Sequence, residues 1–114
     1  MSELSVKQRK FTRLIADLIQ YAYNRGFELT FGDAYRDPRC PYGAEKSLHK
    51  QRLAVDFNLF KDGVYLDKTE DWTPLGEYWE SLDPDCCWGG RFRTSAGGAG
   101  SDGNHLSLQY GGMK

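Results

Sequence analysis

The chain has two histidines, and each has an aspartate close by in sequence: Asp56 follows His49 by seven residues, and Asp102 precedes His105 by three. A catalytic zinc ion takes three nitrogen or oxygen side-chain ligands and keeps a further position for water. His49, Asp56 and His105 would supply such a set if the chain turns at or before Leu53 and His105 approaches from a neighbouring strand. Asp102 would remain as the unligated acid that accepts a proton from the attacking water. The plainer alternative is a surface or internally satisfied His/Asp pair, with Asp56 one solvent-facing position of an alternating strand. Ala54 and Asn58 share the strand face of Asp56, and a small neighbour leaves room for an ion beside the carboxylate.

These residues need elements to hold them. Ser5 with Gln8 fits a capping box, and Phe11, Leu14, Ile15, Leu18, Ile19 and Ala22 recur at three- and four-residue steps. That spacing predicts an amphipathic helix closed at Asn24-Arg25-Gly26, with Lys7, Arg9, Lys10 and Arg13 on its solvated face. Phe27, Leu29 and Phe31 then alternate with Glu28 and Thr30 as a half-buried strand ended by Gly32. Residues 33–46, with Pro38, Pro41 and Gly43, read as a long irregular loop. Leu53, Val55, Phe57 and Leu59 alternate with Arg52, Ala54, Asp56 and Asn58 in a second strand. Asp62-Gly63 turns that strand back into Val64, Tyr65 and Leu66 as a hairpin.

Thr73-Pro74 suits an N-cap and first-turn proline for a second helix carrying Leu75, Tyr78, Trp79 and Leu82 up to Asp83-Pro84. Residues 95–103 read as a flexible glycine-rich loop. A last strand alternates His105, Ser107 and Gln109 with Leu106, Leu108 and Tyr110, placing His105 on its polar face. The expected fold class is therefore α+β, a small antiparallel sheet packed by two or more helices, in one domain over residues 1–114. Trp72, Trp79 and Trp88 are read as core or core-edge residues, and Cys40, Cys86 and Cys87 as small packing residues.

Composition excludes several classes. With 15 Lys and Arg against 16 Asp and Glu, the net charge of -1 offers no positive field for a nucleic-acid backbone. No apolar stretch approaches the ~20 residues of a membrane span, and the charged start around Lys7, Arg9 and Lys10 lacks the apolar region of a signal peptide. Three cysteines, two of them neighbours, fit neither a disulfide framework nor zinc-finger spacing.

The segment Ser47-Leu48-His49-Lys50-Gln51-Arg52-Leu53-Ala54-Val55-Asp56 resembles the S-x-H-x-x-G-x-A-x-D signature of the zinc peptidoglycan peptidases. That family includes D-alanyl-D-alanine carboxypeptidases and dipeptidases and the L-alanyl-D-glutamate endopeptidases of phage lysins. Trp88-Gly89-Gly90-Arg91-Phe92 and Asp102-Gly103-Asn104-His105 are similar to the family's W-G-G-x-F/W and D-x-x-H. The motifs run from about residue 31 almost to residue 114. Two departures stand out: Arg52 occupies a position where most members have glycine, and Leu106-Ser107 follow the last histidine where members have an aromatic and then an acid or similar residue.

The resemblance implies a hedgehog/D-Ala-D-Ala-peptidase-like fold, Zn2+ held by His49, Asp56 and His105, and Asp102 as catalytic acid/base. It also implies Arg36, after Tyr35, as the group that stabilises the oxyanion, with Tyr35 and Ser47 binding substrate. The expected function is a monomeric zinc peptidase of the phage endolysin type that hydrolyses the stem peptide of peptidoglycan, at the L-alanyl-D-glutamate bond. Such a protein, of phage or prophage origin, would reside in the host cytoplasm without a signal peptide and reach the cell wall after release. The alternatives are a D-alanyl-D-alanine carboxypeptidase or dipeptidase, a non-catalytic phage structural or binding module that keeps zinc for stability, and a metal-free adaptor with coincidental histidines.

Overall fold

The computed structural model describes residues 2–35, 39, 48–91 and 102–114. Helix α1 spans Glu3–Asn24, and its apolar stripe buries Phe11, Ile15, Leu18 and Ala22. Helix α2, Thr73–Leu82, buries Leu75 and Trp79, and the Trp79 ring meets Phe11 edge-on with centroids 5.8 Å apart. Edge-to-face packing suits the quadrupoles of two aromatic rings.

Both helices serve an antiparallel sheet built from β1 (Phe27–Phe31), β2 (Ala54–Lys61), β3 (Val64–Leu66), β4 (Cys86–Trp88) and β5 (His105–Leu108). Its order is β1-β2-β5-β4, with β3 also paired to β2. The α+β architecture with a small antiparallel sheet and two packed helices is thus as expected. Strand β2 is the axis: Phe57 to Lys61 pair with β1, Leu59 to Lys61 with β3, and Ala54 to Asp56 with β5. Val55, Phe57 and Leu59 point into the core, so Asp56 and Asn58 face the other way. The β2–β3 hairpin turns at Asp62 and Gly63, both at positive φ (53° and 78°), as a two-residue turn with the strands' own twist requires. Among the described residues, no helix is long and apolar enough to cross a membrane.

Several boundaries differ from the sequence reading. Helix α1 starts earlier, because Ser2 rather than Ser5 is its cap: the Ser5 N–H donates to Ser2 Oγ at 3.1 Å, and the added turn packs Leu4 against the core. Thr73 is the first helical residue rather than a cap, since the preceding 3-10 turn Thr69–Trp72 runs straight into α2 with Trp72 buried. Strand β4 is too short for alternation to reveal it. Strand β5 has no polar face: it lies between β2 and β4, and all four residues, His105 and Ser107 included, are buried. Phe31, expected on the apolar face of a half-buried strand, is 68% exposed at the end of the edge strand β1. Most of the 33–46 loop, residues 95–101 of the glycine-rich run, and Cys40 lie outside the described residues.

The basic face of α1 is only partly a solvated one. Lys7 Nζ meets Asp85 Oδ2 at 2.8 Å and Lys10 Nζ meets Asp83 Oδ2 at 2.6 Å, tying the helix to the approach to β4. Burial opposes the charge on Asp83, yet the hydrogen bond from Lys10 prevails and lowers its carboxyl below the ordinary value of 3.8. A carboxylate lowered on folding stabilises the fold above its unfolded pKa, and that contribution is lost as pH falls through the folded value. Lys10 is nearly half exposed, so solvent screening limits the pair to ~0.2–1 kcal/mol. Urea unfolding of Lys10→Ala is expected to show a loss within that range at pH 7, shrinking as pH drops below 3.8.

Candidate metal centre

Asp56 and His105 face each other across β2 and β5. Asp56 directs both main-chain groups to the opposite side: its N–H donates to the Asp33 carbonyl and its carbonyl accepts from Gly32 N–H, each at 2.7 Å. The neighbouring Phe57 N–H donates to Asn104 O at 3.1 Å. Asp56 and His105 therefore form a non-hydrogen-bonded pair, the antiparallel arrangement that brings facing side chains closest, with Cα atoms about 4.5 Å apart rather than about 5.5 Å.

His49 arrives from a separate turn. The 3-10 segment Leu48–Gln51 is anchored by buried Leu48, and Leu53 N–H returns to Leu48 O at 2.9 Å. The reversal into β2 is made at Arg52, whose φ of 58° is left-handed. Glycine adopts that conformation without strain, whereas a side chain costs about 1–2 kcal/mol, which accounts physically for glycine at this position in the resembled signature. Arg52 is held there by stacking over the Tyr35 ring, its Cζ 4.3 Å from the centroid.

The three side chains converge. Asp56 Oδ1 lies 3.3 Å from His49 Nε2 and 3.2 Å from His105 Nδ1, and one donor atom from each residue falls within 4.8 Å of the others. Two separations match the edge of a tetrahedron built on zinc–ligand bonds of about 2.0–2.1 Å, which is about 3.3 Å. Ring orientation fits the same role. His49 Nδ1 lies 3.0 Å from the Ala34 carbonyl and His105 Nε2 lies 3.2 Å from the Lys114 main-chain oxygen. An oxygen of that kind only accepts, so each ring keeps a proton on its outer nitrogen; the inner nitrogen donates to Asp56 when the ring is doubly protonated and offers a lone pair to a cation when it is neutral. In the neutral tautomers the two inner lone pairs and the carboxylate oxygen would converge on a cation among them. The residues present thus fit a divalent metal, and these three could hold one.

Both histidines are buried, while the Asp56 side chain keeps 21% of its surface exposed. Burial works against charge on Asp56, but hydrogen bonds from His105 and His49 outweigh it and carry its carboxyl down to about 2. The Asp56 carboxylate is therefore ionised well below neutral pH. Asp102 behaves oppositely: burial raises its carboxyl, the charges of His105 and His49 pull it back, and that of Asp56 adds to the rise. Asp102 thus shares the electrostatic environment of the three without being one of them, and its carbonyl caps the start of β5 through His105 N–H at 3.0 Å.

Trp88 and three glycines place that turn. The Trp88 ring lies in a slot bounded by Gly76 of α2 and Gly90, where any Cβ would collide with the indole. Its Nε1–H donates to Gly103 O at 2.7 Å. A Cβ on Gly89 would strike the Asp102 carbonyl, so the Trp-Gly-Gly run acts as the mould for the turn from Asp102 to His105. Tyr35 follows Ala34 and is half exposed beside an apolar hollow lined by Phe11, Ile15, Phe31 and Val55. Arg36 and Ser47 lie outside the described residues. The sequence reading missed Ala34 and Lys114, which act through main-chain oxygens and so leave no signal in residue type.

In the solved structures, the fold is similar to that of the Serratia marcescens L-Ala D-Glu endopeptidase ChiX. The match has a TM-score of 0.67 and covers 89% of this chain and 79% of that chain, at 18% sequence identity. No protein-family model and no curated protein matches the chain.

Removing the strain at the turn between His49 and β2 should be nearly neutral, because relief of the left-handed side chain offsets loss of the Tyr35 stack. Arg52→Gly is expected to unfold within about 1 kcal/mol of the parent. Arg52→Val, β-branched at positive φ and without the stack, should lose about 1–3 kcal/mol in the same urea titration.

Proposed function

We propose that this protein is a zinc-dependent peptidoglycan peptidase that hydrolyses the L-alanyl-D-glutamate bond of the stem peptide. The observation that carries the reading is the convergence of His49, Asp56 and His105 on one point in a fold similar to that of an L-Ala D-Glu endopeptidase. His49 Nε2, Asp56 Oδ1 and His105 Nδ1 would hold the ion. Zinc in a three-ligand site supplies a Lewis acid that makes water acidic enough to ionise near neutral pH and draws electron density from a carbonyl.

This chain's residues do the rest. Asp102 accepts the proton of the attacking water as its oxygen bonds to the scissile carbonyl carbon. It then delivers that proton to the leaving amine as the C–N bond breaks, leaving an amine and a carboxylic acid that ionises by losing the second water proton to solvent. A carboxyl raised by burial is a better proton acceptor than an ordinary aspartate, which suits both halves of that shuttle. Arg36 is assigned the developing oxyanion, and Tyr35 and Ser47 the peptide, all on the strength of the resembled motifs.

His49→Ala should lose both zinc and activity, whereas Asp102→Asn should keep zinc and lose about 10²–10⁴-fold in turnover. Elemental analysis of the purified variants beside rate measurements separates the two, and a zinc-replete, active His49→Ala protein overturns the assignment. The bond follows from mass spectrometry of fragments released from purified peptidoglycan with and without a chelator. New L-alanine C-termini with D-glutamate N-termini, seen only without chelator, are expected. Free D-alanine or D-alanyl-D-alanine would instead define a carboxypeptidase or dipeptidase.

A further inference from the structure

Ser107 lies two residues past His105 on β5, on the same side of the strand, and is fully buried. Its hydroxyl donates to the Lys114 main-chain oxygen at 2.9 Å, the same oxygen that lies 3.2 Å from His105 Nε2. That oxygen is brought back by a tight turn. Tyr110 and Met113 exchange N–H to carbonyl bonds of 3.0 Å each, around Gly111 and Gly112 at φ of 57° and 81°. Two successive positive φ values define a turn for which glycine is strongly preferred.

One oxygen therefore receives two bonds with different consequences. The bond from Ser107 fixes where the oxygen sits. The bond from His105 fixes which ring nitrogen carries the proton and in which plane the ring lies. We propose that Ser107 and the Tyr110–Met113 turn are positioning elements of the metal centre, holding the Lys114 oxygen so that His105 presents Nδ1 toward Asp56. The inference rests on the reading of His49, Asp56 and His105 as metal ligands, and it gives the residues after β5 a part in metal affinity. Ser107 does not touch the ion: a hydroxyl bonded to Lys114 acts only through the ring that Lys114 orients. Partners of this kind set ligand orientation and basicity, and losing them costs about 10–100-fold in metal affinity.

The test uses the full chain with Ser107→Ala and, separately, Gly111→Val. A Cβ at Gly111 meets nothing within 4 Å, so valine there strains the turn through φ without disturbing the core. Zinc affinity is measured by competition with a chromophoric chelator, and the melting temperature of the metal-free protein is recorded beside it. Each variant should bind zinc about 10–100-fold more weakly than the parent, with the visible bands of the cobalt-substituted protein shifted. A purely structural role would lower the metal-free melting temperature and leave affinity and cobalt spectrum unchanged. Parental affinity in either folded variant, with zinc bound normally by the parent, overturns this proposal and leaves the metal centre standing. A parent that binds no zinc overturns both. If Ser107→Ala does not fold, Gly111→Val decides the question by the same readouts.

Discussion

Asp56 has both main-chain hydrogen bonds on the β1 side, through Gly32 and Asp33, and everything at the candidate centre depends on that commitment. It leaves Asp56 and His105 facing each other as a close pair without main-chain bonds between them, so carboxylate and imidazole meet inside the sheet rather than at its rim. The arrangement works only if β2 is flanked on both sides, by β1 and by β5, and β4 in turn pairs along the other edge of β5. A buried carboxylate is costly unless hydrogen-bonded. Here the two histidines supply those bonds, and the result is a lowered rather than a raised Asp56 carboxyl.

Support for the centre is drawn mainly from the backbone. Ala34 and Lys114 each offer an oxygen to the outer nitrogen of a histidine, while Gly103 offers one to Trp88. The Trp88 indole fills its slot against Gly76 and Gly90, linking the turn that carries Asp102 to the helix behind it. Side-chain types matter in this outer layer chiefly as spacing: glycine where a Cβ would intrude, tryptophan where a rigid plane and one donor are needed.

The legible part of the fold was the part with period. The stripe from Phe11 to Ala22, the alternation through Val55, Phe57 and Leu59, and the Asp62-Gly63 turn all foretold their elements, because burial on one face imposes a repeat on the sequence. The three converging residues were legible for a different reason, since histidine and aspartate at those spacings already suggested a ligand set and matched a signature. Strand β5 misled by alternating like a surface strand: His105 and Ser107 are polar yet buried, satisfied by Asp56 and the Lys114 oxygen rather than by water. Nothing in the sequence marks a main-chain carbonyl as a partner. Arg52 read as a mere departure from glycine, and only its positive φ and the Tyr35 ring beneath it show the constraint and what offsets it.

Strand β5, an inner strand of this sheet, is also the last of its strands to be made. A nascent chain that has emerged as far as Arg91 holds His49, Asp56 and every other strand, but the middle of the sheet is vacant and β2 and β4 have no shared neighbour. Closing it joins residues 49 apart in sequence, a long-range contact of the kind that forms late because its loop-closure entropy precedes its reward. Assembly of the candidate centre is thereby coupled to completion of the fold, so that an unfinished or truncated chain carries two of the three converging groups and neither the third nor its acidic neighbour Asp102.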